Sequence, residues 1–381
     1  MTRAICDTLD PLKLRFEPVQ RACLAAVEEG VAPGFVVGVA ADGQTLFREA
    51  FGSRQLVPRT LPAQSDTVYD VASLTKALVT SLLCMQEVAS GRLRLDAPAV
   101  DGLPELAGPG RDGITWRQLL AHASGLPAHR PFWQSTAEAP AQRLAIAQLA
   151  AREPLTQAPG AQAVYSDLGF ILLGWWLERS TGRRLDDLYA RRIATPLGLP
   201  SARFVSLADP AARAELLATR SVAATQVCAE RRRLVLGEVD DLNAAAMEGI
   251  AGHAGLFSDA ADLLAMARAL VAAWRGGGAE LVPRDVLREF WAPSGVPGST
   301  WRLGWDGPAP AASQAGERLS RDAVGHLGFT GCSIWIDPSR DVTIVLLSNR
   351  VHPSVPAGER FRRFRPALHD AVLEALGYDC R

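Results

Sequence analysis

The most constraining feature of this chain is that its two hairpin patterns lie at opposite ends of the sequence. Near the start, Gly34 to Ala40 is a short apolar run, Asp42-Gly43 is a tight-turn signal, and Thr45 to Phe51 continues extended. Near the end, Ser333 to Ile336 and Val342 to Leu347 flank the turn Asp337-Pro338-Ser339-Arg340-Asp341. The economical arrangement is one antiparallel sheet built from both hairpins, which brings the two ends of the chain together. Each end also carries an amphipathic helix. One is marked by Leu12, Phe16, Val19, Cys23 and Ala26, the other by Phe361, Phe364, Leu368, Val372 and Leu376.

Between the hairpins the period is mostly helical. One helix opens at Ser73 with Leu74, Leu78, Leu82 and Met85, and ends at Gly91. Others are expected over Trp116–Ala123, Ala141–Ala151, Leu168–Ser180, Leu185–Ile193 and Asp259–Trp274, with Ser258 as cap of the last. Loops are expected at 124–140, 152–163, 200–235 and 293–320. The expected fold is α/β (α+β), an antiparallel sheet flanked by helices with an inserted helical domain. The sheet domain takes residues 1–75 and 295–381, and the helical domain 76–294.

Charge narrows the partners. The 40 basic and 41 acidic residues leave a net charge of −1, which argues against a nucleic-acid or anionic-membrane partner, since both reward a basic surface. No apolar run is long enough for a membrane span. The first residues lack a basic-then-apolar leader, so the expectation is a cytoplasmic protein, or an exported one whose leader was removed. Cys6, Cys23, Cys84, Cys228, Cys332 and Cys380 form no C-x-x-C pair and read as reduced core residues. Among the basic residues only Lys13 and Lys76 are lysines. Arginine keeps its proton in proteins and a buried lysine can lose it, so Lys76 is the residue to interrogate first.

Three segments can carry chemistry. In Ser73-Leu74-Thr75-Lys76, positions three apart share a helix face, so Lys76 can reach the Ser73 hydroxyl. The helix start supplies N–H groups for a developing oxyanion. Ser73 also suits a simple N-cap. In Tyr165-Ser166-Asp167, Tyr165 can relay a proton near a lysine, while Asp167 also suits the cap of the next helix. In Gly325-His326-Leu327-Gly328-Phe329-Thr330-Gly331, glycines ahead of a strand allow close backbone approach, and an edge N–H can be a second oxyanion donor.

Taken in order, S-x-x-K, Tyr-x-Asp and His-x-Gly before a terminal hairpin resemble the serine β-lactamase and penicillin-recognising hydrolase superfamily. Leu119-Leu120-Ala121-His122-Ala123-Ser124-Gly125-Leu126-Pro127, Gly252-His253-Ala254-Gly255-Leu256-Phe257-Ser258, Ser333-Ile334-Trp335-Ile336-Asp337-Pro338 and Leu347-Ser348-Asn349-Arg350 extend the likeness over roughly residues 30 to 350. The class C-like branch is the nearest in pattern, with its β-lactamases, carboxylesterases, D-aminopeptidases and carboxypeptidases. The resemblance implies a β-lactamase/transpeptidase-like fold with the active site in the cleft between the domains. It implies that Ser73 attacks a carbonyl and forms an acyl-enzyme, that Lys76 takes its proton, and that Tyr165 passes a proton to the leaving group. The N–H groups of Ser73 and Phe329 would form the oxyanion hole, and His122 and His253 would support the site from behind.

This sequence departs from the pattern in two places. The usual Tyr-x-Asn reads Tyr-x-Asp, and an ionised Asp167 can only accept hydrogen bonds and favours a protonated Lys76. The usual Lys-Thr-Gly reads His326-Leu327-Gly328, which removes a fixed cation and a hydroxyl that help hold a substrate carboxylate. Unless arginines elsewhere compensate, the expected substrate is a small ester, amide or peptide. A true β-lactamase or D,D-peptidase is the alternative within enzymes. A binding or sensor protein that keeps the fold without turnover is the alternative outside them. No cofactor or metal is expected: H-E-x-x-H is absent, Gly108–Gly113 matches G-x-G-x-x-G without a preceding strand, and Asp240-Asp241 reads as a solvated loop. Trp301 and Trp305 are equally suited to the cleft or the core. Oligomeric state is not legible.

Overall fold

The computed structural model describes residues 14–278, 281–355 and 358–378. Leu12, Lys13, Cys6 and Cys380 lie outside the described residues. The two hairpins do join in one antiparallel sheet. Its six strands run in the spatial order Leu61–Pro62, Gln44–Gln55, Gly34–Ala41, Val342–Ser348, Ser333–Asp337 and Val324–Leu327. The seam between the chain ends pairs Phe35 with Ser348 through to Ala41 with Val342.

Side chains alternate across a strand, and here both faces are covered. Phe35, Val37 and Val39 join a core with Val19 and Cys23 of the Glu17–Glu28 helix and Leu368 and Val372 of the Glu359–Ala375 helix. Val36 and Ala40 point the other way, into the larger core with Leu263, Leu264 and Ala267. Burial on both faces explains why the strand reads as an unbroken apolar run. The Ala260–Arg275 helix lies within the segment expected to be a separate helical domain, yet it packs on the 34–41 and 342–348 strands. We propose to keep the two-part division with this helix assigned to the sheet side.

Several local expectations are corrected. The Trp116 helix stops at Leu120, and His122 beyond it takes a left-handed φ of 57°. Ser166, not Asp167, caps the Asp167–Thr181 helix by accepting from the Gly169 N–H, which leaves the Asp167 carboxylate free for other contacts. Asp259, not Ser258, caps Ala260–Arg275 by accepting from the Asp262 N–H at 2.9 Å. The expected loop 200–235 contains the Pro210–Thr219 helix and an Ala224–Cys228/Arg233–Leu236 hairpin. Asp240 is buried rather than solvated, and its N–H donates to Asp70 at 2.7 Å. Asp241 caps Leu242–Ala246 and accepts from His253 Nε2 at 2.9 Å. Cys23, Cys84, Cys228 and Cys332 are free and buried.

Candidate active site

Ser73 follows the short strand Tyr69–Asp70 through a sharp turn. Ala72 adopts φ 48°, an unfavourable region for a residue with a Cβ, and its N–H donates to Asp70 Oδ1 at 2.8 Å. Asp70 Oδ2 accepts from Asp240. Burial raises the Asp70 carboxyl to about 7, against the pull of those two backbone donors. The turn aims Ser73 out of the core while the next residues, Lys76–Ser81, run on as a fully buried helix with π-type pairing.

Lys76 is therefore buried, and three acceptors meet its Nζ: Ser73 Oγ at 3.0 Å, the His253 carbonyl at 3.0 Å and Asp167 Oδ1 at 2.8 Å. Those match the three protons of an ammonium. Burial opposes the charge, but Asp167 and Tyr165 outweigh it and hold Lys76 above the ordinary lysine value. Asp167 is held far below the carboxylate range, burial notwithstanding, by Lys76 and then His129. Burial raises the Tyr165 phenol, with Lys76 pulling it down. Lys76 Nζ stands 4.9 Å from the Tyr165 ring centroid.

The second wall comes from the sheet edge. Gly328 is required there, because a Cβ would sit 2.6 Å from the Val71 carbonyl. Thr330 Oγ1 donates to the Asp70 carbonyl at 2.8 Å and ties this turn to the one that presents Ser73. Among the described residues, the backbone N–H groups of Ser73 and Phe329 donate to no protein acceptor. His326 shares a hydrogen between Nδ1 and the Leu327 carbonyl at 2.9 Å, which puts the proton on Nδ1 and the lone pair on Nε2. Burial and then Lys76 lower it to about 3, so it is neutral.

Ser73, Tyr165, His326, Gly328 and Phe329 line one cleft of about 1250 Å³, and Trp301 joins them. Trp301 stacks on Tyr165 at 5.3 Å between centroids, whereas Trp305 is buried core. Asp167 does not line the cleft. It serves as the counter-ion of Lys76, with His129 Nδ1 3.4 Å from its other oxygen. His122 accepts the Ser166 N–H on Nδ1 at 3.0 Å and packs its ring 4.7 Å from that of Tyr165. His253 reaches Lys76 through its carbonyl, not its imidazole. His129, Asp70 and the Ala72 turn escaped the sequence reading, since no spacing rule marks a long-range carboxylate contact. Among the described residues no cluster could hold a metal ion, and no helix is long and apolar enough to cross a membrane.

The family described as Beta-lactamase matches residues 20–368. The chain belongs to the beta-lactamase family. A relative from Escherichia coli (strain K12), named "Putative D-alanyl-D-alanine carboxypeptidase", is 30% identical over 82% of this chain and 77% of its own. The "N-acetylmuramyl-L-alanine amidase" of Bacillus subtilis (strain 168) is 30% identical over 86% and 80%. In fold, this beta-lactamase-family chain matches an octameric penicillin-binding protein homologue from Pyrococcus abyssi with TM-score 0.72, at 22% identity over 94% of this chain and 77% of that one. It matches EstCE1, a hydrolase with promiscuous acyltransferase activity, with TM-score 0.72, at 21% identity over 95% and 98%. The family and the names of its relatives point to a hydrolase of this fold, with a carboxypeptidase and an amidase among the relatives and a hydrolase with acyltransferase activity among the structures.

Proposed function

We propose that this protein is a serine hydrolase that forms an acyl-enzyme on Ser73 from a small ester, amide or peptide. The observation that carries the reading is Lys76 Nζ, buried and 3.0 Å from Ser73 Oγ at the wall of the cleft. In this reading Ser73 Oγ attacks the carbonyl carbon. The carbonyl oxygen takes the negative charge and is met by the unclaimed N–H groups of Ser73 and Phe329. Lys76 carries the role of base when its amine is free. While Asp167 holds it charged, it donates to Ser73 Oγ instead. The Ser73 proton then passes to the Tyr165 oxygen as the Tyr165 proton moves to the leaving group. Tyr165 stays neutral throughout, which suits its raised pKa. Water then attacks the acyl-enzyme, returning its proton along the same path.

The test is a fluorophosphonate probe with the adduct mapped by peptide mass spectrometry, beside Ser73→Ala. A stoichiometric adduct on Ser73 that vanishes in the variant is the expected result. An adduct elsewhere, or none, would transfer the lead to a binding protein without turnover.

A further inference from the structure

The cleft lining carries four arginines and four acids, yet most of them are not paired with one another. Several arginines elsewhere hold carboxylates: Arg92 and Arg192 hold Glu87, Arg117 holds Asp96 and Glu289, and Arg143 holds Glu178. Beyond Phe329 the cleft wall carries Arg350, Arg362 and Arg365. Among the described residues, none of the three makes an ion pair, and the side chains of Arg350 and Arg362 make no hydrogen bond. Arg365 is 6% exposed. It donates to Gln314 Oε1 and to the Gly331 carbonyl, both at 3.3 Å, and its buried Nε has no partner.

Three of the four acids on the same lining are engaged otherwise, and the fourth, Glu317, makes no ion pair among the described residues. Asp370 Oδ1 accepts the Glu317 and Arg318 N–H groups. Asp306 accepts from Thr300 and Gly307, and Glu359 pairs with Arg363. Two aromatic rings hold the guanidiniums in place. Arg350 lies 5.2 Å from the Phe329 ring centroid and 5.7 Å from that of Phe361, and Arg365 lies 4.9 Å from Phe361. Burial and mutual repulsion lower both: Arg350 is lowered by burial and then Arg362, and Arg365 to about 10 by burial and then Arg350. Such a cluster without a counter-ion is costly unless an anion completes it.

We propose that Arg350 and Arg365, with Arg362 at the rim, form a subsite for a carboxylate on the substrate, distal to the carbonyl that Ser73 attacks. The planar guanidinium fork matches a carboxylate in two parallel hydrogen bonds. His326 is neutral, Lys76 is committed to Asp167 and Arg363 to Glu359, so these arginines supply the unpaired positive charge of the cleft. The proposal rests on the reading of Ser73 as nucleophile, because Ser73 lines the same cleft.

The experiment compares p-nitrophenyl butyrate with mono-p-nitrophenyl glutarate, which differ by a terminal carboxylate. The wild-type protein should favour the glutarate ester in kcat/KM, less so in high salt. Arg350→Met should lower the glutarate-to-butyrate ratio about tenfold or more, while Arg94→Met, an exposed arginine outside the cleft, keeps it. Arg365→Lys, which retains the charge in a buried position but loses the fork, should lower the ratio as well. A ratio unchanged in Arg350→Met overturns the subsite. Calorimetric titration of Ser73→Ala with glutarate separates the two readings. Glutarate binding that needs Arg350, without hydrolysis of either ester, keeps the subsite and rejects the Ser73 reading. Hydrolysis without glutarate binding and without an Arg350 effect does the reverse.

Discussion

Lys76 Nζ lies 2.8 Å from Asp167 Oδ1, and the pair sits behind the nucleophile rather than in the substrate's path. The carboxylate holds the lysine charged, and an Asn in its place would offer only a neutral acceptor. Asp167→Asn should therefore lower the Lys76 pKa. The ascending limb of the kcat/KM against pH profile for an activated ester should move to lower pH by about one unit or more. A limb that stays in place would show that Lys76 does not titrate in the reaction.

The same pair sets a stability window. Asp167 is depressed in the folded state, so its contribution is present above the unfolded value of about 3.9 and is lost as pH falls through its folded value. Lys76 is raised, so its contribution is present below about 10.4 and is lost as pH rises through its folded value. Lys76→Met leaves a carboxylate largely shut off from water without its partner and should cost about 3–5 kcal/mol. Adding Asp167→Asn should recover a good part of that loss, read by urea denaturation of the single and double variants. A double variant no more stable than the single would show that the carboxylate is not the source of the cost.

Gly328→Ala places a methyl group 2.6 Å from the Val71 carbonyl, on the turn that presents Ser73. One of the two walls must move, and the Phe329 N–H moves with it. The expected loss is about 10²-fold in kcat, in the range for removing one oxyanion donor, with a much smaller change in KM. Equal losses in both constants would place Gly328 outside the transition-state contacts.

Asp70 is raised to about 7 by burial, against an unfolded value of about 3.9. Between these values the folded state binds more protons than the unfolded one, so this group makes stability fall as pH rises from about 4 to about 7. Asp70→Asn should flatten that slope in Tm against pH. It should also lower kcat, because an amide can accept only one of the two N–H groups, from Ala72 and Asp240, that Asp70 accepts. An unaltered slope would show that another group sets it.

Much of this was legible because it is local. Alternation and turn chemistry placed three of the four hairpin strands to within a residue of their observed bounds, while the strand expected over Thr45–Phe51 runs on to Gln55. Helical period placed Asp167–Thr181 and Ala260–Arg275, and it set Ser73 and Lys76 on one helix face. The choice of cap between Ser166 and Asp167 was less legible, since both residue types suit the position and only the tertiary partner of Asp167 separates them. The hairpin at 224–236 was missed because its apolar residues are few and its arginines read as loop.

The sequence by itself determined the sheet's composition, the helix that carries Ser73, and the absence of a Lys-Thr-Gly cation, because period, turn residues and spacing act over a few residues. Only the tertiary structure decided what those groups face. It brought Asp167 to Lys76, set Gly328 against Val71, and gathered Arg350, Arg362 and Arg365 on one wall without ion pairs among the described residues. Those contacts join residues remote in sequence, and their electrostatic consequence depends on burial, which no local pattern encodes.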